Sequence, residues 1–171
     1  AALPDIGALS ISDGNFRVAD PKLKADFTVA IHTEARRAGH EDRLVLKIKG
    51  TYAGQPITAD FTGGTLLSLR DPNEPYPIDL RVANGATKVH LKGTVQDPIK
   101  FAGADLQLEL GGNNLADLYP LTGIPLAPTP PFHLVGHLDY TNGQIRFRHF
   151  AGTVGKSDLE GDFDVERSGR E

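Results

Sequence analysis

The chain has 171 residues, of which 39% are hydrophobic and 23% are charged, and its formal net charge is −4. This length can bury a core, the apolar content excludes intrinsic disorder, and the acidic balance argues against a nucleic-acid surface. Cysteine is absent, so disulfides and thiolate chemistry are excluded. The chain opens AALPDIGAL, without methionine or a signal-peptide pattern. We therefore expect a single domain, residues 1–171, that is a fragment of a longer protein.

Apolar and polar residues alternate with a period of two through most of the chain, which predicts half-buried β-strands. Lysine, aspartate, glutamate and threonine occupy most of the intervening positions. In chain order, the apolar-facing positions are Leu23, Ala25, Phe27, Val29 and Ile31; Leu44, Leu46, Ile48 and Tyr52; Ile78, Leu80 and Val82; Thr87, Val89, Leu91 and Val95; Ala104, Leu106, Leu108 and Leu110; Phe132, Leu134, Leu138 and Tyr140; and Leu159, Phe163 and Val165.

Turn signals separate these runs. Asn84-Gly85 and Asn142-Gly143 have the residue pair that is typical of two-residue hairpins. Ala53-Gly54-Gln55 and Asp13-Gly14-Asn15 are predicted to be further hairpin turns. Residues 71–77, DPNEPYP, contain three prolines and are predicted to form an irregular crossover.

Helix is predicted to be scarce. Asn114 is expected to cap a helical turn from Leu115 to Tyr119 that Pro120 ends. The segment Thr65–Arg70 is compatible with one helical turn or with a strand. Single glycines interrupt many of the alternating runs, and regular glycines along strands indicate a sheet that curves.

One-sided alternation means that the apolar face of the sheet needs a cover. A second sheet, the same sheet folded over, or a bound lipid would each provide one. The sequence therefore predicts an all-β fold: a mostly antiparallel curved sheet folded on itself, as a β-sandwich or a taco-like groove, with one or two short helical turns. The pattern alone leaves open whether the apolar face is a closed core or a groove for acyl chains.

Two motifs look like ligand sites, and their geometry disfavours both. GTVGKS, at residues 152–157, has Phe150 where a phosphate loop needs its first glycine, and an acidic strand-like run follows it. His133 and His137 lie four residues apart, which spans about 13 Å in a strand and is too far for two ligands of one zinc ion. We expect turn residues and polar-face histidines instead.

Acidic residues alternate along residues 158–166 and could suggest a Ca²⁺ site or acid–base catalysis. Arg146 and Arg148 on the preceding strand are expected to pair with them, which predicts a solvated, charge-balanced outer face. Ser157 and His149 lack the Gly-x-Ser-x-Gly elbow of a serine hydrolase. The sequence therefore predicts no catalytic residue, no metal ligand and no cofactor.

Several segments carry a family likeness through their order and spacing. They are Gly50–Pro56, Pro75–Pro77, Lys92–Pro98, Leu115–Tyr119, Leu121–Leu126, Pro130–Phe132 and Gly152–Gly161. Together they resemble the AsmA family of bacterial envelope proteins over most of the chain, most clearly from Gly111 to Val165.

This resemblance implies an inner-membrane protein, anchored by an N-terminal helix, with a long curved β structure in the periplasm. The implied role is phospholipid transport between the inner and outer membranes, with acyl chains as ligands and other envelope proteins as further candidate partners. The family has no catalytic motif, so we do not expect an enzyme. Alternation and resemblance together nominate these groove residues: Phe27, Val29, Ile31, Leu44, Leu46, Ile48, Val89, Leu91, Leu106, Leu108, Leu134 and Leu138.

The alternative function is a structural or protein-binding β module that assists outer-membrane protein assembly. In that case, the exposed edge strands would be the docking sites, because an unpaired strand edge can accept a further strand. Binding of other envelope proteins, unaffected by polar substitutions in the groove, would distinguish it from lipid transport.

Overall fold

The computed structural model describes residues 13–34, 42–65, 68–98, 102–141 and 143–166. Two 3-10 helices, Ser68–Arg70 and Leu115–Leu118, and one α-helix, α1 (Tyr119–Thr122), interrupt an otherwise β-stranded chain. The strands are β1 (Asp13–Asp20), β2 (Ala25–Glu34), β3 (Arg43–Tyr52), β4 (Gln55–Gly63), β5 (Tyr76–Asn84), β6 (Thr87–Asp97), β7 (Ala102–Gly112), β8 (Phe132–Thr141), β9 (Gln144–Val154) and β10 (Ser157–Glu166). No helix in the described part of the chain is long and apolar enough to cross a bilayer.

The ten strands form one antiparallel sheet in which the order in space is the order in the chain. Each connection therefore joins neighbouring strands, which keeps the entropy lost on loop closure small. This confirms the predicted all-β fold and its curved antiparallel sheet. Among the described residues there is a single sheet, so the β-sandwich arrangement is not observed.

The turns agree with most of the predictions. Ala53 and Gly54 have φ values of 52° and 76°, the pair of positive values that a type I′ hairpin requires. Gly85 has φ 59° between β5 and β6, and Asn142 lies outside the described residues. The predicted turn at residues 13–15 is wrong, since these residues pair with β2 inside β1.

The proline-rich segment at residues 71–77 is not a crossover. It ends the connection between β4 and β5, which are neighbours in the sheet, and Tyr76 and Pro77 already belong to β5. The ambiguous segment before it contains the 3-10 helix Ser68–Arg70, while residues 66–67 lie outside the described chain.

The strand register directs the apolar side chains to one face of the sheet, the apolar face. Direct cross-strand partners form continuous rows, because strands about 4.8 Å apart bring opposite side chains into contact. One row from β2 to β7 reads Ile31, Leu46, Phe61, Leu80, Leu91 and Leu108. A second row from β2 to β8 reads Val29, Ile48, Ala59, Val82, Val89, Leu110 and Leu134.

Most of the buried side chains of the sheet lie on the apolar face. Leu106 is fully buried, and it clusters with Val95 and Ala104. The residues packed around this cluster, Ile78, Leu91, Leu138 and Tyr140, point from the same face of the same sheet. Neighbours on the same face therefore bury this cluster, and its burial needs no second sheet.

Two strand glycines allow neighbouring backbones to approach closely. Gly50 has φ 155°, and a Cβ there would lie 2.5 Å from the Cα of Phe27 on β2. Gly152 has φ 158°, and a Cβ there would collide with the His133 carbonyl oxygen and lie 3.0 Å from the Cα of Leu134. Both the φ value and the space therefore require glycine.

A β-bulge in β9 changes the alternation of its side chains. His149 has φ 51°, and the register of β9 shifts by one residue against both β8 and β10. The shift brings Phe147 and Phe150 onto the apolar face, where their rings stack at 5.1 Å between centroids. Gly136 on β8 makes room, because a Cβ there would lie 2.6 Å from the Phe147 ring.

We expect Gly152→Ala to lower the free energy of unfolding by at least about 2 kcal/mol. The positive φ alone costs an L residue about 1–3 kcal/mol, and the collision with β8 adds to it. Gly111→Ala is the matched control, because a Cβ there would have its nearest neighbour at 3.7 Å. Urea denaturation measures both values, and an equal loss in the two variants would contradict the close approach of β9 to β8.

Candidate functional site

All twelve predicted groove residues lie on the apolar face, in two groups separated by β4 and β5. Several are direct cross-strand partners: Ile31 with Leu46, Leu91 with Leu108, and Leu106 with Leu138. The group on β2 and β3 is Phe27, Val29, Ile31, Leu44, Leu46 and Ile48. The group on β6 to β8 is Val89, Leu91, Leu106, Leu108, Leu134 and Leu138.

The sequence-based set left out the residues of β4 and β5, which join these two groups, and those of β9, which extend the second group. Alternation had already placed the β5 residues on the apolar side, and the same pattern in β4 would have added that strand, whereas the bulge hides the residues on β9 from any period-two search. They are Ile57, Ala59 and Phe61 on β4, Ile78, Leu80 and Val82 on β5, and Phe147 and Phe150 on β9.

The apolar face is covered unevenly. Four of the twelve residues, Val29, Leu44, Leu106 and Leu134, are buried, and the other eight are half-buried. Near the ends of the sheet, exposure of the apolar face rises further, with Phe163 on β10 at 46%. In the described chain the strands contact mainly their sheet neighbours, so no second layer of strands covers the half-buried residues.

The β7–β8 connection, residues 113–131, folds back over the apolar face and is called the cap here. As predicted, Asn114 caps its first helical turn, with Oδ1 accepting a hydrogen bond from the Ala116 N–H at 3.0 Å. The prediction that Pro120 ends the helix is wrong. α1 continues to Thr122 and stops at Gly123, which has φ 71°. Proline lies in the first turn of α1, where its missing N–H is not needed.

Hydrogen bonds close the cap at its neck. Asn114 Oδ1 also accepts from the Thr129 N–H at 3.0 Å, and Thr129 Oγ1 accepts from the Leu115 N–H at 3.0 Å. The Pro131 carbonyl accepts from the Gly155 N–H at 2.7 Å. The two ends of the cap are therefore tied to each other and to the β9–β10 turn.

The underside of the cap is apolar. Leu118 is 2% exposed and forms a buried cluster with Phe132 and Leu134 of β8. Two groove candidates, Val89 and Leu134, therefore pack under the cap. The residues around this cluster are Val89, Leu110, Leu115, Leu126, Phe150 and Val154.

The other side of the cap reaches β3. Tyr52, the last residue of β3, donates its hydroxyl to the Pro120 carbonyl at 2.7 Å. The buried Asn84 side chain donates to the Tyr52 carbonyl at 3.0 Å and fixes the end of this strand. The cap thus extends along one rim of the apolar face, from β7 and β8 back to β3.

Tyr76 lies at the opposite rim, at the start of β5. Its side chain is 1% exposed, and its hydroxyl donates to the Gly64 carbonyl at 3.2 Å. Burial disfavours the charged phenolate and raises the pKa of Tyr76 to about 12. The Tyr76 phenol therefore stays neutral at pH values well below 12.

The opposite, polar face carries ion pairs. Nε2 of His133 lies 2.8 Å from Glu109, and Nε2 of His137 lies 2.8 Å from Asp105. The hydrogen bond with His133 holds the pKa of Glu109 below its ordinary value. No three His, Asp or Glu side chains converge into a metal site among the residues that the structure describes. The two histidines are therefore polar-face residues, as predicted.

The carboxylates of β10 pair with β9, as predicted for Arg148. Its guanidinium lies 3.4 Å from both Asp162 and Asp164. Arg146 donates to the Gln144 side chain at 2.8 Å. One guanidinium thus pairs with two carboxylates on this part of the polar face.

The predicted turn at GTVGKS is confirmed, with Gly155 and Lys156 between β9 and β10. The His149 N–H donates to Asp162 at 2.7 Å, which lowers the pKa of Asp162. Ser157 begins β10, about 16 Å along the strand from Asp162. His149 and Ser157 are therefore not brought together.

A cavity of about 370 Å³ lies over β4 to β8 on the polar face. Asp60, Arg81, Lys88, His90 and Glu109 are among its lining residues, so both signs of charge are present. His90 is already paired with Asp79 at 2.8 Å. This charged surface is unsuited to an acyl chain, which leaves the apolar face as the candidate site.

The chain is similar to the AsmA family protein YhjG of Escherichia coli (strain K12), with 40% identity over 121 residues. The aligned region is 68% of this chain and 18% of that protein, so the chain spans less than a fifth of the relative's length. No protein-family model and no solved structure matches the chain.

We expect Leu106→Ala to lower the free energy of unfolding by about 2–5 kcal/mol, because it leaves a void in a packed cluster. Leu108→Ala is the matched control on the same strand and face. Leu108 is only half-buried, so this variant should lose about 1–2 kcal/mol. Equal losses in urea denaturation would contradict the uneven cover of the apolar face.

The Tyr76 pKa predicts a loss of stability at alkaline pH. The folded pKa of about 12 exceeds the ordinary value of 10.0, so the stabilisation is complete below pH 10 and is lost as the pH rises towards 12. Tyr76→Phe should flatten this part of the curve of unfolding free energy against pH. Tyr119→Phe, at a residue that is 56% exposed, should leave the curve unchanged. An unaltered curve in Tyr76→Phe would contradict the burial of the phenol.

Proposed function

We propose that this chain, which belongs to the AsmA family, is part of an envelope protein that carries phospholipids between the inner and outer membranes. The apolar face would shelter the acyl chains, and the headgroups would remain at its rims in water. The protein would be held in the inner membrane, with this β domain in the periplasm.

One observation carries the proposal: the apolar face is continuous from strand to strand and has no second sheet over it in the described chain. Ten strands at about 4.8 Å spacing make this face roughly 40 Å long across the sheet. One leaflet of a bilayer core is about 15 Å thick, half of the total of about 30 Å. An acyl chain therefore fits lengthwise across the strands.

The half-buried side chains of the apolar face also support the binding of acyl chains, because an acyl chain can cover their exposed apolar surface. Each methylene group that moves from water to an apolar surface gains about 0.8 kcal/mol. An acyl chain that moves from a bilayer to the apolar face stays in apolar surroundings throughout, provided that the face is unbroken. The rows through Leu46 and Val29 are unbroken from β2 to β7. Transport along them would be passive, without a catalytic step, and its direction would be set elsewhere.

The test is the lipid content of protein purified in a mild detergent, measured by extraction and mass spectrometry. We expect phospholipid to copurify with the chain. The double variant Leu91→Asn with Leu108→Asn places amides in the middle of the apolar face, at a directly opposed pair. It should reduce the bound phospholipid at least about fivefold, since burying an amide without a partner costs about 1–3 kcal/mol.

The matched control is the neighbouring opposed pair on the polar face, Lys92→Asn with Gln107→Asn. This variant should retain the phospholipid of the wild type. A wild type without phospholipid, or equal losses in the two double variants, would contradict the proposal. In that case, capture of envelope proteins by both double variants would favour the protein-binding module instead.

A further inference from the structure

We propose that the cap is a latched lid over the apolar face, and that the hydrogen bond from Tyr52 to Pro120 is its latch. This inference rests on the proposed function and adds how acyl chains would gain access to the apolar face. Opening the lid would free the surface under Leu118 for an acyl chain.

The cap is built to move as one unit. Asn114 and Thr129 clasp its neck through side-chain and backbone hydrogen bonds, so it is a compact loop with adjoining ends. Gly111 and Gly112 precede it at the end of β7. Small residues at the end of a strand can absorb the backbone rotation of a hinge.

The cap leucines lie where an acyl chain would lie. Leu115, Leu118 and Leu126 pack against the ends of β6 to β9 on the apolar face. The other side of the cap faces water, with Asp117 and Tyr119 exposed. Opening would lift the cap leucines off the apolar face, and an arriving acyl chain could take their place. No charged group would be buried in this exchange.

The Pro120 carbonyl can accept the Tyr52 hydroxyl because α1 ends before the Ile124 N–H bonds to this carbonyl. In a longer helix, the Pro120 carbonyl would accept from the Ile124 N–H. Here that N–H donates to Thr122 Oγ1 at 3.1 Å, and the Pro120 carbonyl accepts from Tyr52 at 2.7 Å. The cap is thus held to β3 by an uncharged hydrogen bond, which can break without exposing a charge to an apolar surface.

Tyr52→Phe removes the latch hydroxyl and keeps the ring. Loss of one neutral hydrogen bond should raise the population of the open lid about 2- to 10-fold. Hydrogen–deuterium exchange of residues 115–126 should accelerate by this factor, while exchange in β2 and β7 stays unchanged. Tyr119→Phe is the matched control, since it removes an exposed hydroxyl from the cap itself, and it should change neither.

The second readout is the association rate of a fluorescent lysophosphatidylcholine, measured by stopped flow on the same full chains. When access requires the open lid, Tyr52→Phe should increase this rate by the same 2- to 10-fold. Unchanged exchange in Tyr52→Phe would overturn the latch even if the wild type binds the probe. Faster exchange with an unchanged association rate would overturn the lid as the entry route. A wild type that binds no probe would instead overturn the proposed function, and exchange would still decide whether the latch exists.

Discussion

The register of nine successive antiparallel pairings decides which side chains share the apolar face. Side chains alternate along a strand, so a slip of one residue in any pairing would turn the apolar side chains of that strand towards water. The rows through Leu46 and Val29 continue because no pairing between β2 and β7 slips. In β9, the bulge at His149 shifts the register against both neighbours at the same level. The apolar side chains of β8, β9 and β10 therefore remain on the same face of the sheet on both sides of the bulge.

In a single curved sheet, part of the apolar side-chain surface stays exposed to water and does not contribute to stability. Leu106 is fully buried by the convergence of its neighbours, whereas Leu108, two residues further along, is half-buried. Complete burial of a leucine side chain is worth about 1.5–3 kcal/mol, so each half-buried side chain retains affinity for an apolar cover. The cap supplies that cover along one rim through Leu118. Elsewhere on the apolar face, the half-buried side chains still lack an apolar cover. An acyl chain can cover them, since it requires no hydrogen bonds.

Sequence patterns predicted what is local in this fold and failed where distant parts meet. Alternation found β2, β3, β5 to β8 and β10 with their apolar side, but not β1, β4 or β9, and residue pairs such as Ala53-Gly54 found hairpins. Both signals depend on neighbours in the chain. Alternation could not reveal the bulge, which puts Phe147 and Phe150 on one face although they lie three positions apart. Alternation also could not distinguish one curved sheet from a sandwich, since both arrangements use the same pattern. The cap was foreseen only as a helical turn, because its contact with Tyr52 joins residues 68 positions apart.

Site-specific photocrosslinking along β7 would show directly whether the apolar face holds acyl chains. A benzophenone side chain would be placed in turn at Gln107, Leu108 and Glu109 of the full chain, in membranes from the expressing cells. We expect crosslinks to phospholipid at Leu108 and none at the two neighbours, because only Leu108 points to the apolar face. Equal crosslinking at all three positions, or crosslinks from Leu108 to protein alone, would contradict this expectation.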